Sequence, residues 1–346
     1  MRRILAAMGI CCLFMVFVIS PVKAGTVASH QAAGAFTVGL VTDIGGLNDK
    51  SFNHLAYVGL QEAGRSYHIR GFVIESKSPS DYVPNLTNFA QRHMGLTIAV
   101  GFLMENAIYQ VAKEYPTQKF AIIDGAPADA KGNTVNLGNV ANLFFKEQES
   151  GYLVGVIAGL MEKDKVGAAT HNAIGVMGGL SIPSVNRYIA GYYAGARKVD
   201  PGIRVFLGYS QSFTNQAAAK SIGLAQIGQG ADILFQVAGG AGLGYLAAAQ
   251  QRGKYGIGVD SDQGFLGRFV LTSALKKVNA AVRLTVRDTM RGRFHGGDHL
   301  FTLSNNSTGF APTSPLVPRS IVAQATAYEK QIASGKIVPP TTIPSH

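Results

Sequence analysis

The chain of 346 residues is 47% hydrophobic and 15% charged, with 42 Gly and 13 Pro, a composition that excludes disorder, a collagen-like fibre and a multi-span membrane protein. Its formal charge of +11 is scattered, and no run of Lys or Arg exceeds two residues, so the basic stripe that nucleic acid requires is lacking.

The first predicted element is an export segment. Met1-Arg2-Arg3 is a positive n-region, Ile4 to Ile19 is uncharged and apolar, and Val22-Lys23-Ala24 places small residues where signal peptidase reads them, so residues 1–24 read as a secretory signal peptide. A membrane anchor is the competing reading, but the run ends before Pro21, short of the roughly 20 residues that span hydrocarbon. Cys11 and Cys12 both lie in this run, and Met8-Gly9-Ile10 before Cys11 is a poor lipoprotein box. The expectation is a freely diffusing periplasmic protein of 322 residues, charge +8 and no cysteine, without disulfides, thiolate metal sites or a cysteine nucleophile. That length exceeds one ordinary core and predicts two lobes.

Short β-branched runs ending in Gly or Asp then follow at Phe36 to Val41, Arg70 to Glu75, Thr97 to Gly101 and Lys119 to Asp124. A second set stands at Ala173 to Met177, Arg204 to Tyr209, Asp232 to Val237 and Tyr255 to Val259, offset by 134 to 137 residues. Helical spacing of apolar residues fills the intervals, for example Ser51 to Ser66, Leu103 to Tyr115 and Lys146 to Met161. The alternation predicts an α/β chain of two doubly wound parallel-sheet lobes joined by a multi-strand hinge. Residues 36–142 plus 264–305 are assigned to lobe 1 and 143–263 plus 306–338 to lobe 2, with Val270 to Ser273 returning to lobe 1 and 339–346 as a flexible tail.

In open α/β sheets ligands bind beyond the carboxyl ends of the strands. The polar residues there are Asp43 to Asn53, Asp124, Ser210 to Phe213, Gly239-Gly240 and Asp260-Ser261-Asp262. Carboxylates dominate, and an ionised carboxylate accepts hydrogen bonds and donates none, which suits sugar hydroxyls or amine-bearing edges and repels phosphate. Phe52 and Phe213, one from each half, offer flat apolar faces to a ring. The alternative is that both phenylalanines are core and the aspartates cap helices or turns.

The string D-I-G-G-L-N-D-K-S-F-N at Asp43 to Asn53, with F-A-I-I-D-G at Phe120, F-K-E-Q-E at Phe145, A-G-G-A-G-L-G at Ala238, G-V-D-S-D-Q at Gly258 and L-T-S-A-L-K at Leu271, resembles the basic membrane protein family of ABC-transporter substrate-binding proteins, the purine nucleoside receptor group. The resemblance implies a type I periplasmic-binding fold that closes on a nucleoside and hands it to an ABC permease in the inner membrane. By that resemblance Phe52 and Phe213 would sandwich the base, Asn53 and Asp124 would read its polar edge, Asp260 with Lys276 would hold the ribose, and Asp43 would support the same wall. Gly240 and Asp262 complete the expected ligand-binding set. The chain departs from its relatives after Ser212-Phe213, where Thr214-Asn215 replaces an acidic residue.

Two decoys are set aside. Gly242-Leu243-Gly244-Tyr245-Leu246-Ala247 matches a dinucleotide fingerprint, but after the third strand of its half rather than the first. His295-Gly296-Gly297-Asp298-His299 has metal-like residue types, yet its glycines predict a mobile loop. With no H-E-x-x-H, G-x-S-x-G or P-loop, the expected protein is a monomeric receptor, not an enzyme, with no cofactor, no metal and no nucleic acid partner. The alternatives are a receptor for another ring-bearing solute, a flavin or a sugar, and a periplasmic NAD-dependent oxidoreductase.

Overall fold

The computed structural model describes residues 35–345; the expected export segment 1–24, with Cys11 and Cys12, lies outside the described residues. The first half of the chain runs β1 (Thr37–Thr42), α1 (Phe52–Tyr67), β2 (Arg70–Glu75), α2 (Tyr82–Gln91), β3 (Leu96–Val100), α3 (Glu105–Glu114), β4 (Phe120–Ile123) and β5 (Val140–Phe145). The second repeats it with α4 (Glu147–Lys163), β6 (Ala173–Gly178), α5 (Pro183–Val199), β7 (Arg204–Tyr209), α6 (Gln216–Gly228), β8 (Ile233–Val237), α7 (Gly239–Gln251), β9 (Tyr255–Asp260) and β10 (Val270–Lys276). α8 (Val278–Met290), β11 (Gly297–Phe301), β12 (Thr308–Phe310) and α9 (Arg319–Ala333) follow.

The strands form two six-stranded sheets, ordered β2-β1-β3-β4-β5-β11 and β7-β6-β8-β9-β10-β12. Pairing is parallel throughout except between β10 and β12. Central strands such as β3, β4, β8 and β9 are buried at every position, as strands covered by helices on both faces must be, whereas the edge strands β2 and β11 are exposed in part. In each sheet the order reverses beside the first strand, which opens a crevice at the carboxyl ends of β1 and β3 and of β6 and β8.

Two expectations about the crossings are corrected. Val270–Lys276 does not return to the first lobe but pairs with β9, satisfying backbone groups that β9 would otherwise leave open; the chain crosses after Lys276, and α8 packs on α1. Residues 143–145, assigned to lobe 2, belong to β5 (Val140–Phe145) of the first sheet, so that crossing falls between Phe145 and Glu147. A third crossing joins β11 to β12 over residues 302–307. The fifth strand of each sheet therefore passes its next helix to the opposite lobe.

Where α4 meets α5, the two helices approach closely. A Cβ on Gly151, Gly155 or Gly159 would collide with backbone of Tyr188, Tyr192 or Ala196, and one on Gly191 or Gly195 would collide with α4 in return. A second close helix pair, α6 on α7, explains the fingerprint decoy: Gly244 lies inside α7, and its missing Cβ admits the backbone of Gln216 from α6. The histidine decoy is partly strand, with His299 in β11 and its Nε2 2.9 Å from the His295 carbonyl. Within the segment expected to be a flexible tail, Pro339 is buried and Ile343 packs against the second lobe's core. No described helix is long and apolar enough to cross a membrane.

Candidate ligand-binding cleft

Both crevices open into one cleft of about 600 Å³, mouth included. Asp43, Phe52, Asn53 and Asp124 line it from the first lobe and Phe213, Gly240, Asp260 and Lys276 from the second, with Asp49, Phe102 and Tyr188 among the further residues of the wall. Asp262 is not among them. It is exposed, and its Oδ1 accepts the Gly264 amide at 2.9 Å, because the chain after Asp260 turns away from the cleft.

The turn from β1 to α1 is built by its own carboxylates. Asp49 Oδ1 accepts the Ser51 and His54 amides at 2.9 and 3.1 Å and its Oδ2 accepts the Asn53 amide at 2.8 Å, satisfying donors that open the first turn of α1. Asp43 Oδ1 accepts the Gly45 amide and Asn53 Nδ2, both at 2.8 Å. Flanked by Asp43 and Asp49, the Asn53 amide must present its NH₂ to them and its oxygen away from them. Asn53 Oδ1 is buried and accepts no hydrogen bond from any described residue; the same holds for Asp124 Oδ1.

Lys276 stands at the end of β10 with only 1% of its surface exposed. Its Nζ pairs with Asp124 Oδ2 and with Glu147 Oε1 at 3.0 Å, and lies 4.9 Å above the Phe52 ring and 5.1 Å above that of Phe145. Glu147 in turn holds Arg187 Nε at 2.6 Å. Beside Lys276, at the end of the neighbouring β9, Asp260 Oδ1 accepts Tyr188 OH at 3.0 Å and its Oδ2 accepts Ser51 Oγ at 2.5 Å.

Burial sets the protonation of this wall. It pushes the Asp43 carboxyl up to about 6, with the Asn53 and Gly45 hydrogen bonds opposing. Asp124 rises to about 7 because burial, reinforced by the Glu147 charge, outweighs the attraction of Lys276. Burial also raises Asp49 and Asp260, whereas the Asp124, Glu147 and Asp260 carboxylates overcome burial to raise the Lys276 ammonium and keep it charged. Among the described residues no cluster of His, Cys, Asp and Glu is arranged to hold a metal ion.

Residues 36–342 match the family described as ABC transporter substrate-binding protein, PnrA-like. The chain belongs to that family. Among its relatives, the ABC transporter nucleoside-binding protein BmpA of Lactococcus lactis is 32% identical over 344 residues, covering 90% of this chain and 93% of its own. A CD4+ T-cell-stimulating antigen of Listeria innocua is 31% identical over 328 residues, 88% of each chain. The crystal structure of an ABC transporter system solute-binding protein from Aeropyrum pernix superposes with a TM-score of 0.79 at 25% identity, over 88% of this chain and 94% of that one. This PnrA-like protein is accordingly a two-lobed solute receptor and not an enzyme.

Sequence reasoning named Asp49 and Ser51 only within the stretch Asp43 to Asn53, without a role, and missed Tyr188. Asp49 and Ser51 lay inside the motif read as a strand-end loop, where Asp two residues before Ser is a capping signal. Tyr188 sits on α5 at core-like spacing, and no local pattern distinguishes it. The departure at Thr214-Asn215 leaves α6 capped, with Asn215 Oδ1 accepting the Ala218 amide at 3.0 Å.

Proposed function

We propose that the cleft binds a nucleoside, a purine nucleoside whose base edge carries N–H donors, and delivers it to an ABC permease. The observation that carries the reading is the pair of buried, unpaired acceptors, Asn53 Oδ1 and Asp124 Oδ1, on the wall that also holds Phe52. A buried acceptor without a partner costs roughly 1–3 kcal/mol, so a ligand that supplies donors recovers that cost and one that supplies acceptors does not. The lactam N–H of hypoxanthine or guanine meets the need, whereas the ring nitrogen at the same position of adenine is an acceptor.

In this reading Phe52 and Phe213 stack on the base, and Asp260 with Lys276 takes the ribose. Lys276 spends two donors on Asp124 and Glu147 and keeps a third for a hydroxyl. Asp43 holds Asn53 in orientation, and Gly240, at the start of α7, lets the ligand come close to backbone. Support for a nucleoside also comes from the printed description of the Lactococcus relative. Export through residues 1–24 would place the receptor in the periplasm, as a monomer serving its permease.

A thermal-shift and calorimetry panel of guanosine, inosine, adenosine, cytidine, ribose and riboflavin tests this. Guanosine and inosine are expected to bind more tightly than adenosine by about tenfold or more, the worth of one buried hydrogen bond. Binding of ribose or riboflavin with none of the nucleosides would replace the reading with that of another solute receptor.

A further inference from the structure

Beside the cleft the lobes touch along a seam whose bonds join Lys50 and Ser51 of the first lobe to Val259, Asp260, Ser261 and Gln263 of the second. Ser51, fully buried in the first lobe, donates from Oγ to Asp260 Oδ2 at 2.5 Å and lies 3.4 Å from the Val259 carbonyl, both in the second lobe. The preceding carbonyl, that of Lys50, accepts Ser261 Oγ at 2.7 Å and Gln263 Nε2 at 3.4 Å. Both sides are held rigidly. Asp49 fixes the Ser51 amide, while Gln263 Oε1 accepts Gln236 Nε2 at 2.8 Å and the Val259 amide at 3.2 Å. Lys50 and Asp260 each adopt positive φ, 54° and 60°, conformations that such side chains take only where the surroundings hold them.

We propose that Ser51 is a positioning residue whose hydroxyl latches the closed lobes through Asp260 and thereby sets how long ligand stays bound. The inference rests on the reading of the cleft as a closing receptor site. Its physical content is that Asp260 is completed only on closure. Tyr188, from its own lobe, occupies Oδ1 in either state, but the donor on Oδ2 comes from the opposite lobe. Opening strips that donor from a buried carboxylate, so the Ser51 bond opposes opening, and a charge-assisted O–H···O⁻ bond is among the stronger kinds. Because Ser51 does not line the cavity, its contribution falls on escape rather than on encounter.

The test compares Ser51→Ala and Ser51→Thr with the parent by two measurements. In surface plasmon resonance with guanosine, Ser51→Ala should dissociate about 10-fold to 100-fold faster with association within about twofold, and Ser51→Thr, which keeps the hydroxyl, should restore most of the residence time. In ligand-free amide exchange, Ser51→Ala should speed exchange at residues 259–263 across the seam as well as at 50–54; a role confined to the start of α1 would move only the latter. Unchanged dissociation, or exchange altered in the first lobe alone, overturns the latch. Should neither parent nor variant bind guanosine, the nucleoside reading falls and the exchange result decides the latch by itself. If Ser51→Ala does not fold, Ser51→Cys, which is close in volume and a much weaker donor to Asp260, is judged by the same criteria.

Discussion

Lys276 and Glu147 stand at two of the places where the chain leaves one lobe for the other, and Lys276 Nζ is bonded to Glu147 Oε1 at 3.0 Å. The helix that Glu147 opens also holds the third crossing. Glu149 Oε2 accepts the Leu303 amide at 2.6 Å and Thr308 Oγ1 at 2.8 Å, and Ser150 Oγ donates to the Leu275 carbonyl at 2.6 Å. The F-K-E-Q-E segment is thus the knot of the hinge, and Lys276 joins that knot to Asp124 in the cleft.

Removing the Lys276 charge should therefore cost stability as well as binding. Lys276→Met leaves Asp124 and Glu147 buried with the Arg187 pair as the remaining cationic contact, and a broken buried pair typically costs about 3–5 kcal/mol. Urea unfolding should show that loss. Adding Asp124→Asn to Lys276→Met should recover part of it, since Glu147 keeps its Arg187 partner and no unpaired charge then remains, without restoring ligand binding. A stability unchanged by Lys276→Met would mean that the three groups are not coupled in solution.

Acidity should act on the fold and on binding with opposite signs. The Asp124 carboxyl titrates at about 7 in the fold against an ordinary 3.8, so its contribution to stability is complete below pH 3.8 and is lost as pH rises through about 7. Asp43, at about 6, acts in the same direction over the lower part of that window. An ionised carboxylate accepts a base N–H more strongly than a neutral carboxyl, so guanosine affinity should rise between pH 5.5 and 7.5 and then level off, with protons released on binding near pH 6.5. Calorimetry in buffers of different ionisation enthalpy reads that release directly. Asp124→Asn should flatten the profile, and a parent profile already flat would remove Asp124 from the contact.

Phe213 offers a test of stacking that separates contact from packing. It is half-buried, and a Cβ on Gly179 would collide with its ring. Phe213→Ala should weaken nucleoside binding by about tenfold, the scale of one aromatic contact, with little change in melting temperature. Gly179→Ala, which leaves the ring in place chemically but displaces it, should weaken binding as well. Titration calorimetry of both variants decides, and full affinity in Gly179→Ala would show that the ring's position does not matter to the ligand.

Strand ends were legible in the sequence because a buried parallel strand must be apolar at successive positions and must stop at Gly or a polar residue. The buried strands Ile233–Val237 and Tyr255–Asp260 lie within one residue of the expected Asp232 to Val237 and Tyr255 to Val259. The same logic placed Asp43, Asp124 and Asp260 at one crevice, since the carboxyl ends of parallel strands share a side. The crossings were not legible. Nothing local in Val270–Lys276 states which sheet's edge it will complete, because pairing partners are chosen across long sequence separations. Asp262 shows the converse failure: two aspartates two residues apart looked equivalent, yet the positive φ at Asp260 turns the chain, and only the first faces the ligand wall.

A buried acid away from the cleft gives a prediction about the fold alone. Glu162, at the end of α4, is 2% exposed; its Oε2 accepts the Asn172 amide at 3.0 Å and its Oε1 accepts nothing from the described residues. Burial, with the Asp232 carboxylate nearby, pushes it up to about 8, while Asp232 itself is held down by Lys254 and by the Thr170 and His171 amides. With the folded value above the ordinary 4.5, the group's contribution is intact below pH 4.5 and is lost as pH rises through about 8. Glu162→Gln keeps an acceptor for the Asn172 amide and removes the charge. It should gain roughly 1–3 kcal/mol at pH 8.5 and nothing at pH 4, flattening the pH dependence of unfolding between them. Guanidinium unfolding at the two pH values checks it, and a loss of stability at pH 8.5 would show that the ionised carboxylate is needed where it lies.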